Sequence, residues 1–225
     1  MLTRIYSDHR MKLAIGTPVI FLLLLNSSAP TKKNTFVFVP EGSVFMEEGA
    51  ILPIELRVNA TTNINAVGGA ISYPRGAMSI ENVDIDRSIV DLWAEEPYPS
   101  NSTGRLAFSG GILTDGGFSG NARVLAFNTL ARQSGRLMFT IENGMLLARD
   151  GKGTNHFVPV DPLLLYVRKA GAPTPDINND AVLSLADLNA LYLATFRAYQ
   201  PRYDLDQDGR IDWSDVRALI ALLSG

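Results

Sequence analysis

Near the C-terminus the chain reads YDLDQDGRIDWSD, residues Tyr203 to Asp215. Asp204, Asp206, Asp208, Asp212 and Asp215 stand at positions 1, 3, 5, 9 and 12 of a twelve-residue run. Carboxylates this close repel one another unless a cation sits among them. The spacing suits calcium, a hard cation that takes about six to eight oxygens. Asp204, Asp206 and Asp208 would supply some of them. Arg210 at position 7 would give its carbonyl, Asp212 would act through a water, and Asp215 would close the shell. Gly209 at position 6 permits a backbone turn through positive φ. The competing account is a solvated acidic turn that binds nothing.

A second copy lies upstream in DINNDAVLSLAD, residues Asp176 to Asp187. Asp176, Asn178, Asp180, Ser184 and Asp187 fill positions 1, 3, 5, 9 and 12, and Val182 would give its carbonyl. Ala181 stands where the later loop has Gly209, and a non-glycine residue in left-handed backbone costs about 1–2 kcal/mol. This copy also has fewer carboxylates. Two calcium sites are therefore expected, the later one stronger, with a capped helix start as the metal-free alternative for the earlier one. Both runs match the calcium loop of an EF-hand, except that aspartate replaces the usual glutamate at position 12.

Each loop leads into apolar residues at three- and four-residue steps: Leu188, Leu191, Tyr192, Thr195, Phe196 and Tyr199 after the first, Val216, Leu219, Ile220 and Leu223 after the second. These predict helices. Ser184 with Asp187 has the form of a capping box. Pro173, Pro175 and Pro201 argue against a helix before either loop. The unit is loop then helix, twice over.

That arrangement resembles a type I-like dockerin, the duplicated calcium module of cellulosomal proteins, over residues 176–225. The resemblance implies a small all-α module that binds a cohesin domain on another chain. It further implies partner contacts at positions 10 and 11 of each loop: Leu185 and Ala186 in the first, Trp213 and Ser214 in the second. The Ser-Thr pair common at these positions is absent. A core role for Trp213 is the competing reading, and the protein's own preceding domain is a further candidate partner.

Residues 34–169 carry short strand-like runs between Gly, Pro, Asn and Asp. In ILPIELRVN, Leu52, Ile54, Leu56 and Val58 alternate with Pro53, Glu55, Arg57 and Asn59, the period of a half-buried strand. GRLMFTIEN repeats it with Leu137, Phe139 and Ile141. TFVFV, GGAISY, MSIENVDI, GRLAFSG, ARVLAFNT and LLLYVRK read as further strands, and the fold class is mostly β, a sandwich. The motifs VGGAISYP, FSGGI and GNARVLAFNTL resemble those of the cohesin domain, which implies a jelly-roll β-sandwich related to cellulose-binding modules.

Composition narrows the function. The net charge is −3, there is no cysteine, and of two histidines only His156 lies beyond the N-terminal leader. With no long basic run, nucleic acid is not an expected partner. Disulfides, thiol catalysis and a histidine-based zinc centre are excluded or nearly so. Glu47–Glu48 and Glu95–Glu96 are acids by type, but neighbours on a strand point to opposite faces and cannot act as a pair. No enzyme is expected. Trp93, Tyr98 and Phe118 are the aromatics a sugar platform would need, with AEEPYPS, which follows Trp93 and contains Tyr98, read as a loop.

Arg4, Arg10 and Lys12 precede an apolar run from Leu13 to Leu25, too short for the ~20 residues that span a bilayer. Residues 1–29 read as a signal peptide or an N-terminal anchor, with the start at Met1 or Met11 left open. Residues 170–175 form a linker. The surrounding spacer RKAGAPTP would reach about 25 Å if extended. The expectation is a secreted, non-catalytic assembly protein whose partners are cohesin or dockerin domains of other secreted proteins, in polysaccharide breakdown or cell-surface attachment. The alternative is a carbohydrate-binding module, with polysaccharide as ligand, carried by a dockerin.

Overall fold

The computed structural model describes residues 34–224. The leader read at residues 1–29 lies outside them. Among the described residues nine strands precede two α-helices: β1 Thr35–Pro40, β2 Phe45–Glu47, β3 Ile51–Ser72, β4 Met78–Asp84, β5 Leu92–Ser100, β6 Arg105–Gly111, β7 Phe118–Ala131, β8 Gly135–Ala148, β9 Leu163–Arg168, α1 Leu185–Ala194 and α2 Trp213–Ser224.

ILPIELRVN and GGAISY, read from the sequence as separate strands, are two halves of β3, a single strand of 22 residues. Its first half pairs with β1 and β7, and its second half with β8 and β6. Register shifts between Ala60 and Ile64 and between Ile64 and Ala66 mark the change of partners. β4 extends the first set on β7, and β5, β9 and β2 extend the second. The result is a mostly β, two-layered sandwich.

The alternation read in β3 is realised: Leu52, Ile54, Leu56 and Val58 are all buried. They meet Phe108 of β6, Leu125 and Phe127 of β7 and Phe139 of β8 in one core. Phe139 packs with Phe127 at 5.5 Å and with Phe38 at 5.9 Å between ring centroids. Pro53 sits near the start of β3, where β1 pairing ends at Pro40–Ile54, so its missing N–H breaks no ladder there. The first glycine of FSGGI has a steric reason. A Cβ on Gly110 would lie 2.4 Å from Val90 Cγ1 and 2.7 Å from the Leu92 carbonyl oxygen, where β5 crosses closely.

AEEPYPS is not a loop but the body of β5. Pairing to β6 from Leu92–Gly111 to Ser100–Arg105 makes it a strand, and two register shifts hide its periodicity. Its position at a sheet edge tolerates Pro97 and Pro99. Trp93 and Phe118 pack against the core, leaving Tyr98 exposed, so the three rings do not build a flat platform. Glu47 pairs with Arg168 at 2.7 Å and Glu48 accepts the Ser134 amide at 2.6 Å. His156 is half-buried.

The spacer does not run extended. The Ala172 amide donates to the Lys169 carbonyl at 3.0 Å and the Arg168 guanidinium donates to the Ala172 carbonyl, closing a turn. α1 stops at Ala194, short of the apolar pattern that continued to Tyr199. Thr195 caps it by donating its hydroxyl to the Tyr192 carbonyl at 2.7 Å. The C-terminal module has its own core of Ile177, Leu191, Ala194, Tyr203, Val216 and Leu219.

One charged pair ties β4 to β7. The buried Arg123 guanidinium donates to Asp84, and that hydrogen bond holds the Asp84 carboxyl below its ordinary value of 3.8. A carboxylate whose pKa is depressed by folding contributes stability above the unfolded value, and the contribution is lost as pH falls through the lower folded value. Asp84→Asn is therefore expected to destabilise the sandwich near neutrality. In denaturant unfolding, its deficit relative to wild type should shrink between about pH 5 and about pH 2. A deficit constant across that range would refute the assignment.

Candidate cation-binding loops and the exposed aromatic face

The two acidic loops fold alike, atom for atom, at an offset of 28 residues (Asp176 to Asp204). In the first, Asp176 accepts the amides of Asp180 and Ala181 at 3.1 and 2.9 Å, and in the second Asp204 accepts those of Asp208 and Gly209 at 3.1 and 2.9 Å. Asp187 accepts from Ile177, Asn178 and Ser184; Asp215 accepts from Leu205, Asp206 and Asp212. The amides of Val182 and Arg210 donate to Asp180 and Asp208 in turn, at 2.9 and 2.8 Å. Positions 4 and 6 have positive φ in both loops: Asn179 and Ala181 at 59° and 64°, Gln207 and Gly209 at 60° and 86°.

The residues at position 9 serve first as helix caps. Ser184 accepts the Ala186 amide and completes the capping box with Asp187. Asp212 accepts both the amide and the hydroxyl of Ser214 at 2.8 Å, which together hold its carboxyl below the usual range. The helices consequently begin at Leu185 and Trp213, inside the twelve-residue runs, and the aspartates at position 12 lie in their first turns.

The carboxylates at positions 1 and 12 are buried in both loops: Asp187 and Asp215 are fully enclosed, Asp176 and Asp204 nearly so. Among the described residues none of these aspartates forms an ion pair with a basic side chain. Burial pushes Asp204 upward, but the hydroxyl of Tyr199 at 2.8 Å and the amides of Gly209 and Asp208 outweigh it and keep the carboxyl low. The Tyr199 phenol is raised by the same hydrogen bond. Candidate ligand oxygens of Asp176, Asp180 and Asp187 lie within 4.8 Å of one another, as do those of Asp204, Asp206 and Asp208. An all-oxygen set that includes buried anions lacking a cationic partner fits a hard divalent cation. Asn178 donates to Asp180 at 2.8 Å, and its own oxygen accepts the Asp180 amide.

Of the positions proposed for partner contact, Leu185, Ala186 and Trp213 are exposed, Trp213 by 63%. Ser214 is half-buried and its hydroxyl is turned back to Asp212. Sequence reasoning missed what Trp213 packs beside. Its ring lies 5.8 Å from Tyr192, which meets Phe196 edge-on at 5.2 Å. The four-residue spacing of Tyr192 and Phe196 predicted one helix face, and the two rings still meet although Phe196 lies in the turn just past α1. Only the packing of α1 on α2 brings Trp213 to them.

No family model matches the chain, and no curated protein matches it. Solved structures do. One is a type I cohesin–dockerin complex from Clostridium thermocellum, 11% identical with a TM-score of 0.50, the match covering 63% of this chain and 99% of that one. Another is the type II cohesin dyad of the ScaA scaffoldin of Acetivibrio cellulolyticus, at 9% identity and a TM-score of 0.49 over 62% of this chain; the match spans 50% of the dyad's chain. A third is a non-cellulosomal cohesin from Archaeoglobus fulgidus, at 12% identity, a TM-score of 0.47, and coverage of 61% of this chain and 94% of that one. At such identities the likeness is one of fold, and the fold of the sandwich is that of cohesin domains.

Proposed function

We infer that this is a non-catalytic assembly protein, a cohesin-like sandwich carrying a calcium-dependent, dockerin-like C-terminal module. The observation that carries the reading is the pair of matched loops whose buried aspartates have amide donors but, among the described residues, no cationic side chain. Asp176, Asn178, Asp180, Val182, Ser184 and Asp187 would hold one calcium, and Asp204, Asp206, Asp208, Arg210, Asp212 and Asp215 the other. A bound cation neutralises carboxylates that otherwise repel. The residues themselves tie each loop to the first turn of its helix through Asp187 and Asp215.

Partner binding is assigned to Leu185, Ala186, Trp213 and Ser214, with the Tyr192–Phe196–Trp213 cluster as the aromatic part of that face. The cohesin-like fold of the sandwich, and the cohesin–dockerin complex among the similar structures, support recognition between modules of this kind. The sandwich would accept a dockerin and the C-terminal module a cohesin. The apolar run from Leu13 to Leu25 supports work outside the cytoplasm, in polysaccharide breakdown or at a cell surface.

Three measurements test this reading. Metal binding and folding are coupled when a small module depends on an ion to hold anions together. Chelator should therefore remove most of the helical circular dichroism and leave the β signal of the sandwich. Helix content indifferent to chelator would reject calcium-dependent folding.

The later loop should bind more tightly. Ala181 holds left-handed backbone at a cost of about 1–2 kcal/mol, whereas Gly209 holds it freely. Calorimetry should show Asp204→Ala with Asp215→Ala losing more affinity than Asp176→Ala with Asp187→Ala, and Ala181→Gly strengthening the earlier site. The opposite order would overturn the ranking.

Trp213→Ala should change calcium-loaded stability by no more than about 0.5–1 kcal/mol, as for an exposed position. Affinity for a captured partner should fall by about 2 kcal/mol. A loss of about 3–5 kcal/mol in stability would identify a core anchor instead.

A further inference from the structure

The sandwich and the C-terminal module fall within one compact unit, and residues of the later acidic loop line the space between them. A cleft of about 430 Å³ lies at the junction. Tyr166 and Val167 at the end of β9 form one wall, Leu205 to Gln207 and the α2 residues Ala218 and Leu222 the other, and the spacer prolines Pro173 and Pro175 the floor. A second cavity of about 310 Å³ sets Pro173 and Gly171 against Asp204, Gln207 and Gly209. Pro173 and Gln207 border both cavities, so the spacer and the loop meet between them.

Three features make this a built contact. The spacer is pinned at its start, because Arg168 pairs with Glu47 at 2.7 Å and also holds the Ala172 carbonyl. Leu222 belongs to neither apolar core, yet it is half-buried on the side that faces the sandwich. The loop wall is held by its own carboxylates: the amides of Leu205 and Asp206 donate to Asp215, and Gln207 occupies left-handed backbone between Asp206 and Asp208, two of the three aspartates that converge in this loop.

We propose that the later loop is also the foot by which the C-terminal module docks on its own sandwich, so that cation loading and docking stabilise each other. This rests on the calcium reading above. Unloaded, Asp204, Asp206 and Asp208 repel one another and the wall from Leu205 to Gln207 loses its shape. Loaded, it fits the β9 end. Two events that share one structural element favour each other by the same factor in both directions. The earlier loop has no such wall, since its counterparts of Leu205 to Gln207 border neither cavity.

Docking also sets which face is presented. At about 100° per residue, Trp213 and Leu222 lie on opposite sides of α2. The docked face covers Ala218 and Leu222 and leaves the aromatic face free. The module's own sandwich is thus a holder that points Trp213 outward, not the partner that covers it.

The test uses the full chain, with X-ray scattering for size and calorimetry for calcium. The variants are Leu222→Glu on the module and Tyr166→Glu on the sandwich, the latter lying outside the module's fold. With calcium, wild type should show a smaller radius of gyration than with chelator. Each variant with calcium should keep its helical circular dichroism and two-site stoichiometry, show the larger radius, and bind at the later site several-fold more weakly. Equal radii for calcium-loaded wild type and both variants would overturn docking and leave the calcium reading standing. Failure of wild type to bind calcium at all would overturn both.

Discussion

One strand does the work of two in this molecule. β3 gives its first half to β1 and β7 and its second half to β6 and β8, so both layers of the sandwich share a continuous backbone. Such a strand must be apolar inward along its whole length while the direction of inward changes at the crossing. The irregular register from Ala60 to Ala66 provides that change. A bulge bends a strand and re-aims its side chains at the expense of local ladder bonds. Everything that packs in the core, including the Phe38–Phe127–Phe139 aromatic group, depends on the two halves of β3 lying across from each other.

The C-terminal module is organised differently. Its apolar core is small, and its architecture is governed by carboxylates that act inward. Asp176 and Asp204 gather the amides of their own loops; Asp187 and Asp215 reach back from helix first turns to the loop entrance. Each helix is therefore fixed to its loop by polar contacts before any apolar packing is counted. Buried anions without a cationic partner are costly. The same residues that build the fold therefore carry a concentration of negative charge in its interior.

The two repeats share a backbone but not a surface. Leu185 and Ala186 in one correspond to Trp213 and Ser214 in the other, and only the second repeat contributes to the aromatic cluster with Tyr192 and Phe196 through its first helical residue. Their inner loops also differ in environment. The later one lies against the spacer and the end of β9, while the earlier one does not border that junction. Near-symmetry of the two acidic loops thus coexists with an asymmetric arrangement of what each repeat can touch.

Much of this was legible in the sequence because it is local. Aspartates at positions 1, 5 and 12 of a loop, with Asn or Asp at 3, fold onto that same loop, so their spacing alone gives the matched hydrogen bonds, and alternating Leu52 to Val58 gives a half-buried strand. Even the left-handed backbone at Ala181 follows from its place in the repeat. What was misread or missed depends on contacts far apart in the chain. β5 is a strand because β6 lies beside it, ILPIELRVN and GGAISY are one strand because two sheets share it, and α1 ends where Thr195 finds its carbonyl. The spacer, free to extend on paper, is turned by Arg168. The company Trp213 keeps, and the half-burial of Leu222, were decided only when the second helix met the first and the module met the sandwich. Spacing encodes which groups can close a loop, but which surfaces are left uncovered depends on the packing of the whole chain.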